Sequence, residues 1–169
     1  MNLTLVRSVK VAMVAMVALF ATFVAFGNLV DYDSNYQFVK HVLSMDTTFE
    51  GNALMWRAIT SPVLITLGYW FIIAVELAVA VFAWMSTVKM LKALKKKESD
   101  FDAAKKWGYV AFILAFVLWF VGFIVVGSEW FAMWQSGTWN GKQTAMDITE
   151  VLLGFLIVYM LPEKMVAGK

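Results

Sequence analysis

Cysteine is absent from this 169-residue chain, and its absence removes several kinds of chemistry at once. Without a thiol there is no disulfide, no thiolate metal site, no cysteine nucleophile and no S-palmitoyl anchor. His41 is the only histidine, so a haem with two histidine ligands cannot form within one chain. A zinc site at His41 would need carboxylates such as Asp33 or Asp46 to complete it. We therefore predict neither a metal nor a cofactor.

The chain also lacks the short motifs that mark common enzyme sites. It has no P-loop, no dinucleotide-binding glycine motif and no G-x-S-x-G sequence. An enzyme acting on a lipid or quinone would instead need polar residues of one long loop to converge in a pocket. The residues in question are Asp31, Asn35, His41, Asp46 and Arg57. The pattern favours a protein that is not an enzyme.

Apolar sequence is what the chain has in abundance, since 62% of its residues are hydrophobic against about 45–50% in a soluble domain. A hydrocarbon core about 30 Å thick is crossed by a helix of about 20 apolar residues. Runs of that kind occupy residues 11–30, 62–88, 107–127 and 145–161. We therefore predict an all-α protein in which residues 1–169 form a single four-span membrane bundle. No A-x-A cleavage site follows the first run, which we interpret as a retained anchor.

Basic residues are unevenly distributed, and this asymmetry predicts the orientation in the membrane. On one side they are Arg7, Lys10, Lys89, Lys92, Lys95, Lys96, Lys97, Lys105, Lys106, Lys164 and Lys169, whereas the other side carries Lys40, Arg57 and Lys142. By the positive-inside rule, both termini and the turn 89–106 are cytoplasmic, and loops 31–61 and 128–144 are outside. The lysine-rich turn is typical of contact with anionic lipids, so we expect no nucleic-acid partner.

The two outer loops together predict a partly helical cap. Residues 36–45 have helical periodicity and suggest a short amphipathic helix on top of the bundle. Residues 51–59 suggest a second helical stretch, with Trp56 at the membrane interface. The other loop contains Trp130, Trp134 and Trp139. Such tryptophans are typical of an aromatic belt at the headgroups, or of a surface that binds a lipid or another membrane protein.

The first loop also carries a family resemblance. Asn28-Leu-Val-Asp-Tyr-Asp-Ser-Asn-Tyr-Gln-Phe-Val-Lys-His-Val-Leu-Ser-Met-Asp-Thr-Thr-Phe49, followed by Gly51-Asn52 and Trp56-Arg57-Ala58-Ile59, resembles a bacterial family of predicted small integral membrane proteins. That family is known as a domain of unknown function. The resemblance covers essentially the whole chain and implies four spans and a bacterial membrane, which we expect to be the inner membrane. It implies no activity, cofactor or catalytic residue.

Glu76 is the main candidate for chemistry within the membrane, because it lies near the middle of the second span. An ionised carboxylate there costs at least about 2–3 kcal/mol, and no lysine or arginine lies at matching depth. We expect Glu76 to be protonated, hydrogen-bonded to a hydroxyl or water, or paired with a partner chain. Tyr69, Ala80 and Ala83 share its helical face, where the small residues would let another helix approach closely.

Glu150 is the second intramembrane polar residue, near the outer boundary of the fourth span. Arg57 is the only outer arginine, and we expect it to pair with Asp31, Glu129 or Glu150 and so tie the cap to the helix ends. Thr144 followed by Asp147 predicts the start of the fourth helix, with Asp147 acting near its cap.

These features leave two classes of function open. The absence of enzyme motifs and the aromatic outer cap favour an accessory or scaffold subunit. Such a subunit would bind another integral membrane protein, or a second copy of itself, through the cap and a helix face. The alternative is a small oligomeric transporter or a proton- or cation-conducting protein that uses Glu76. Four spans rarely enclose a pore, so that alternative requires several copies.

The predicted orientation can be tested by labelling, because the chain has no cysteine of its own. The variant Ser136→Cys places one thiol in the second outer loop. We expect it to react with a membrane-impermeant maleimide added outside intact cells. Reaction from the cytoplasmic side alone would show that the orientation is reversed.

Overall fold

The computed structural model describes residues 2–163 and 165, and within them it contains helices and no strand. The elements are α1 (Leu3–Val30), α2 (Tyr32–Ser44), α3 (Pro62–Ala93), α4 (Glu98–Ala104), α5 (Lys106–Phe116), a π-helix (Val117–Trp130) that continues α5, and α6 (Lys142–Met160). Two short 3-10 turns lie at Met55–Arg57 and Met133–Gln135. The prediction of an all-α fold is confirmed.

Four helices are long and apolar enough to cross a membrane: α1, α3, the continuous run Glu98–Trp130, and α6. They form a bundle with two different ends. We call the end that carries residues 31–61 and 131–141 the capped end, and the end formed by residues 2–10, 94–106 and 161–163 the lysine end. The basic tail residues Lys164 and Lys169 lie outside the described residues.

Local signals predicted some helix boundaries and not others. Pro62 occupies the first turn of α3, where its missing N–H costs nothing, and α2 confirms the predicted amphipathic helix. The second predicted stretch, 51–59, was wrong, because it contains only a 3-10 turn. The predicted start at Thr144 was also wrong: α6 begins at Lys142, and Asp147 accepts a hydrogen bond from Gln143 inside the helix.

Small residues bring α1 and α3 close together along much of their length. The side chains buried between or beside them include Ala18, Ala21, Ala25, Ala80 and Ala83. Without long side chains the two backbones approach closely, which gives helices in a membrane their packing energy. The face of α3 that contains Ala80 and Ala83 is therefore covered by α1, so the close helix approach expected at these small residues is made within the chain.

At the lysine end, α6 is fixed to α3 and α5 through one hydroxyl group. The buried Tyr159 donates a hydrogen bond to the backbone oxygen of Lys105 at 3.0 Å and lies 3.0 Å from the hydroxyl of Ser86. Gly108 makes this possible, because a methyl group at that position would overlap the Tyr159 hydroxyl.

Buried charges close the same end of the bundle. Lys10 in α1 is completely buried and pairs with the buried Glu163 at 2.7 Å, and it also donates to the backbone oxygen of Leu161. Lys105 bridges Glu163 at 3.2 Å and Asp102 at 2.8 Å. Sequence reasoning treated these lysines as topology signals alone. Their pairing with a residue more than fifty positions away was not visible in the sequence.

Arg7 makes further contacts at the lysine end. The Arg7 guanidinium donates to the backbone oxygens of Leu94 and Lys96 at 3.0 and 2.8 Å. It also lies 4.7 Å from the centre of the Phe101 ring. The loop between α3 and α4 is thus held against the start of α1.

The structure also indicates a better position for the cysteine that reports the orientation. Ser136 is only 5% exposed and bonds to the Thr47 hydroxyl, whereas Gly137 is exposed with no atom near its missing side chain. The variant Gly137→Cys is therefore the better probe of the capped end. Lys95→Cys, which is exposed at the lysine end, is the matched probe for the opposite face.

We predict that Glu163→Gln lowers the stability of the folded protein by about 3–5 kcal/mol, because it leaves Lys10 buried without a counter-charge. Thermal unfolding in mild detergent measures the change. Glu129→Gln is the control, since Glu129 forms an exposed pair with Lys142 at 2.8 Å, and exposed pairs contribute about 0–1 kcal/mol. Equal effects of the two substitutions would contradict a stabilising role for the buried charges.

Candidate functional site

Glu76 lies on the face of α3 that packs against α1, and it is 2% exposed. Its two carboxyl oxygens both accept hydrogen bonds from the side-chain amide of Asn28, each at 2.8 Å. The backbone oxygen of Asn28 in turn accepts a hydrogen bond from the Tyr69 hydroxyl at 2.8 Å. Three polar residues therefore form one cluster in the contact between α1 and α3.

The partner that the structure gives Glu76 is the side-chain amide of Asn28, a residue of the same chain. A buried polar group that keeps its hydrogen bonds avoids most of the cost of leaving water. A carboxylate has about four acceptor positions, and the Asn28 amide occupies two of them. Glu76 thus retains capacity for a further ligand.

A cavity of about 490 Å³ lies beside this cluster at the capped end of the bundle. Residues from α1, α2, α3, the π-helix and α6 line it. Its polar lining residues are Asn28, Asn35, Tyr69, Glu76, Asn140 and Thr144. We call this space the polar cavity.

Two aromatic pairs form much of the remaining wall. The rings of Phe20 and Trp119 lie 5.3 Å apart, and those of Phe38 and Phe123 lie 6.1 Å apart. Gly141 allows the chain before α6 to approach the second pair, because a methyl group there would come within 2.9 Å of Phe38. The two pairs line the same space as the Glu76 carboxyl group.

Two apolar grooves adjoin the polar cavity. One, of about 310 Å³, runs between α3 and the π-helix and shares Phe38, Ile72 and Phe123 with the cavity. The other, of about 380 Å³, runs between α1 and α6 and shares Phe20 and Ile148 with it. The polar cavity is therefore flanked by apolar surface on two sides.

The polar residues of the first loop do not converge on one pocket. Asn35 lines the polar cavity, while His41 pairs with Asp46 at 2.8 Å and stacks on Trp139 at 4.8 Å. Asp33 accepts a hydrogen bond from Gln37 on the surface of α2. Asp31 ends α1 with its side chain exposed. This arrangement gives no support to a lipid- or quinone-converting enzyme built from these residues.

Arg57 makes aromatic contacts rather than the ion pair predicted from the sequence. Its guanidinium donates to the backbone oxygen of Trp130 at 3.2 Å and lies 4.4 and 5.1 Å from the ring centres of Trp130 and Trp56. Glu129 pairs with Lys142 instead. The expected pairing of Arg57 with a carboxylate was therefore wrong within the described residues, because the tryptophans surround its guanidinium.

Four exposed aromatic residues border the capped end, and we call them the aromatic rim: Phe49, Trp56, Trp130 and Trp134. Trp56 is 71% exposed, and Trp130 and Trp134 are each 46% exposed. Edge-to-face contacts join Trp56 to Trp130 and Phe49 to Trp134. Trp139 does not belong to the rim, because it packs against His41 and Phe38.

Glu150 is exposed on α6 and forms no hydrogen bond or ion pair with any described residue. It lies eight residues after Lys142, which corresponds to about 12 Å along the helix. The ion pair between Arg57 and Glu150 that the sequence suggested is therefore absent from the part of the chain that the structure describes.

The comparisons with known proteins bear on the whole chain. A family model described as predicted small integral membrane protein (DUF2165) matches residues 6–162. The chain belongs to this family. No curated protein and no solved structure matches. The family and the four long helices together support a multi-pass integral membrane protein, and the family description names no activity.

Sequence reasoning found Glu76 in this DUF2165 protein but missed its surroundings. Asn28 was detectable in principle, because it is a polar residue in the last turn of an apolar run. Trp119 and Phe123 gave no such signal, because every residue near them is apolar too. Their place in the cavity wall depends on the π-helix, whose wider turn changes which residues share a face.

We predict that Glu76→Gln preserves folding, whereas Glu76→Leu destabilises the protein by about 1–3 kcal/mol by leaving the Asn28 amide buried without an acceptor. Thermal unfolding in detergent measures both. The double variant Asn28→Leu with Glu76→Leu removes donor and acceptor together and should recover part of the loss. An unchanged melting temperature for Glu76→Leu would contradict a stabilising hydrogen bond.

Proposed function

We propose that this protein is an accessory or scaffold subunit that binds another integral membrane protein through the exposed face of α6 and the aromatic rim. The observation that carries the proposal is Glu150, an exposed carboxyl group on a membrane-length helix that has no hydrogen-bond or ion-pair partner among the described residues. A charged group facing lipid costs at least about 2–3 kcal/mol. A neighbouring helix that supplies a hydrogen-bond donor or a cation removes that cost.

The surroundings of Glu150 have the pattern of a helix-packing surface. One stripe of exposed residues follows α6 at intervals of four and three positions, and we call it the α6 stripe: Gln143, Asp147, Glu150, Gly154 and Ile157. Gly154 has no atom near its missing side chain, so a second helix can approach closely there. Only 22% of the apolar stretch of α6 is buried, against 39% in each of the other long helices.

The aromatic rim supports the same proposal at the capped end. Tryptophan and arginine are enriched among the residues that contribute most to protein interfaces, and here Arg57 lies between Trp56 and Trp130. These rings also suit the headgroup region of a bilayer. The rim therefore serves as the part of the docking surface nearest the water.

The basic residues support an orientation for the subunit. Arg7, Lys10 and Lys105, together with the exposed Lys95, lie at the lysine end. By the positive-inside rule this end faces the cytoplasm, and the cap faces the outside of a bacterial inner membrane.

A second candidate function is favoured by a separate observation. Glu76 lies beside a cavity with polar lining rather than in a fully packed core. This supports a small oligomeric transporter, or a proton- or cation-conducting protein, in which several copies of the chain complete a path past Glu76.

Native purification with matched glycine variants separates the two candidates. We expect the wild type to migrate in mild detergent with a second membrane protein. Gly154→Leu should weaken that association roughly tenfold, equivalent to about 1.4 kcal/mol, because the new side chain fills the approach surface. Gly27→Leu is the control, since Gly27 also has open space around it but lies on α1.

Each outcome has a distinct meaning. Loss of the partner in Gly154→Leu and not in Gly27→Leu supports docking on the α6 stripe. A wild type that purifies as a homo-oligomer with no other protein contradicts the accessory role and favours the transport candidate. Retention of the partner in Gly154→Leu contradicts the proposed surface.

A further inference from the structure

The polar cavity contains one acidic group and no basic one. Among its lining residues Glu76 is the only carboxylic acid, and none is a lysine, arginine or histidine. The Asn28 amide contacts both carboxyl oxygens but is itself uncharged. Ionised Glu76 would therefore attract a positive group, and the described walls of the cavity supply none.

The aromatic walls reinforce this preference. The faces of aromatic rings attract cations through their quadrupole, most strongly when the cation is shielded from water. The Phe20–Trp119 and Phe38–Phe123 pairs and the Tyr69 ring all line the same space as Glu76. A carboxylate with several rings around it is the chemistry that recognises alkylated ammonium and similar ions.

We propose that the polar cavity is a binding site for a lipophilic organic cation, whose charged centre lies against Glu76 and whose apolar substituents contact the aromatic walls. A small hydrated metal ion suits the site less well, because the lining is largely ring and aliphatic surface. A volume of about 490 Å³ falls in the range of pockets that hold small organic ligands, roughly 300–1,000 Å³.

The adjoining grooves provide a route to the site. The groove between α1 and α6 reaches the cavity at Phe20 and Ile148, and its own lining is apolar except for Asp147. A lipophilic cation that partitions into the membrane can thus approach from the side. The inference rests on the same cavity as the transport candidate, but it requires binding alone.

The decisive experiment compares two ions of the same shape and opposite charge. Tetraphenylphosphonium and tetraphenylborate are titrated separately into the full-length protein in nanodiscs, with empty nanodiscs as the blank, and the heat of binding is recorded. We expect saturable binding of the phosphonium and no saturable binding of the borate. Equal binding of both ions would show simple partition into apolar surface and would overturn the proposal.

Single substitutions test whether the phosphonium binds in the polar cavity. Glu76→Gln should weaken phosphonium binding about tenfold or more by removing the charge, and Trp119→Leu should weaken it about threefold by removing one ring. Glu50→Gln removes an exposed carboxylate of the cap that does not line the cavity, and it should leave the affinity unchanged. Full affinity in Glu76→Gln, or an equal loss in Glu50→Gln, would overturn the assignment.

The test stays decisive if a variant misfolds, because the two-ion comparison uses the wild type and Trp119→Leu reports on the cavity wall independently. It is also separable from the docking proposal. A protein that purifies without a partner and still binds the phosphonium contradicts docking and supports this inference. A protein that binds its partner through α6 but binds no phosphonium supports docking and contradicts this inference.

Discussion

Close packing between α1 and α3 determines where the polar groups of this membrane protein can meet. Alanines on both helices remove the bulk that would otherwise separate the backbones. At the capped end this closeness brings the Asn28 amide within 2.8 Å of the Glu76 carboxyl group. At the other end it positions Arg7 to bond to the chain after α3. A wider separation of the two helices would leave polar groups buried without partners.

The ionisable residues at the two ends of the bundle have different partners. At the lysine end Lys10, Lys105 and Glu163 are buried and paired, and Tyr159 joins α6 to the neighbouring helices. At the capped end Glu76 has an amide partner but no counter-charge, and the space beside it is open. One end is therefore a structural closure, while the other has an acidic group without a basic partner among the cavity-lining residues and the volume that a ligand requires.

The fourth long helix connects the two proposals. Where α6 begins, Thr144 and Ala145 form part of the cavity wall. Glu150 and Gly154 lie on exposed surface of the same helix. A partner that packs against the α6 stripe would also contact Asp147, which lines the apolar groove between α1 and α6. The polar cavity itself shares no residue with the α6 stripe, so the cavity and the stripe can be altered by different substitutions.

Much of the architecture followed from the sequence, because the signals for it are local. Run length fixed the number of long helices, Pro62 marked the start of α3, and the apolar period of residues 36–45 predicted α2. Local signals failed in two places. Residues 51–59 form a loop with one 3-10 turn, and α6 begins two residues before Thr144. Glu76 was recognisable as a special residue because a carboxyl group in an apolar run is costly.

The partners of the polar groups depend on how the helices pack. Asn28 and Glu76 are 48 positions apart, and Lys10 and Glu163 are 153 apart, so no periodicity could pair them. Arg57 had carboxylates available in the sequence but contacts Trp56 and Trp130 in the fold. The lengths of the hydrophobic runs can be read from the sequence alone, since each run consists of consecutive residues. The partner of each polar side chain depends on which side chains the packed helices bring together. The composition of the chain does not contain that information.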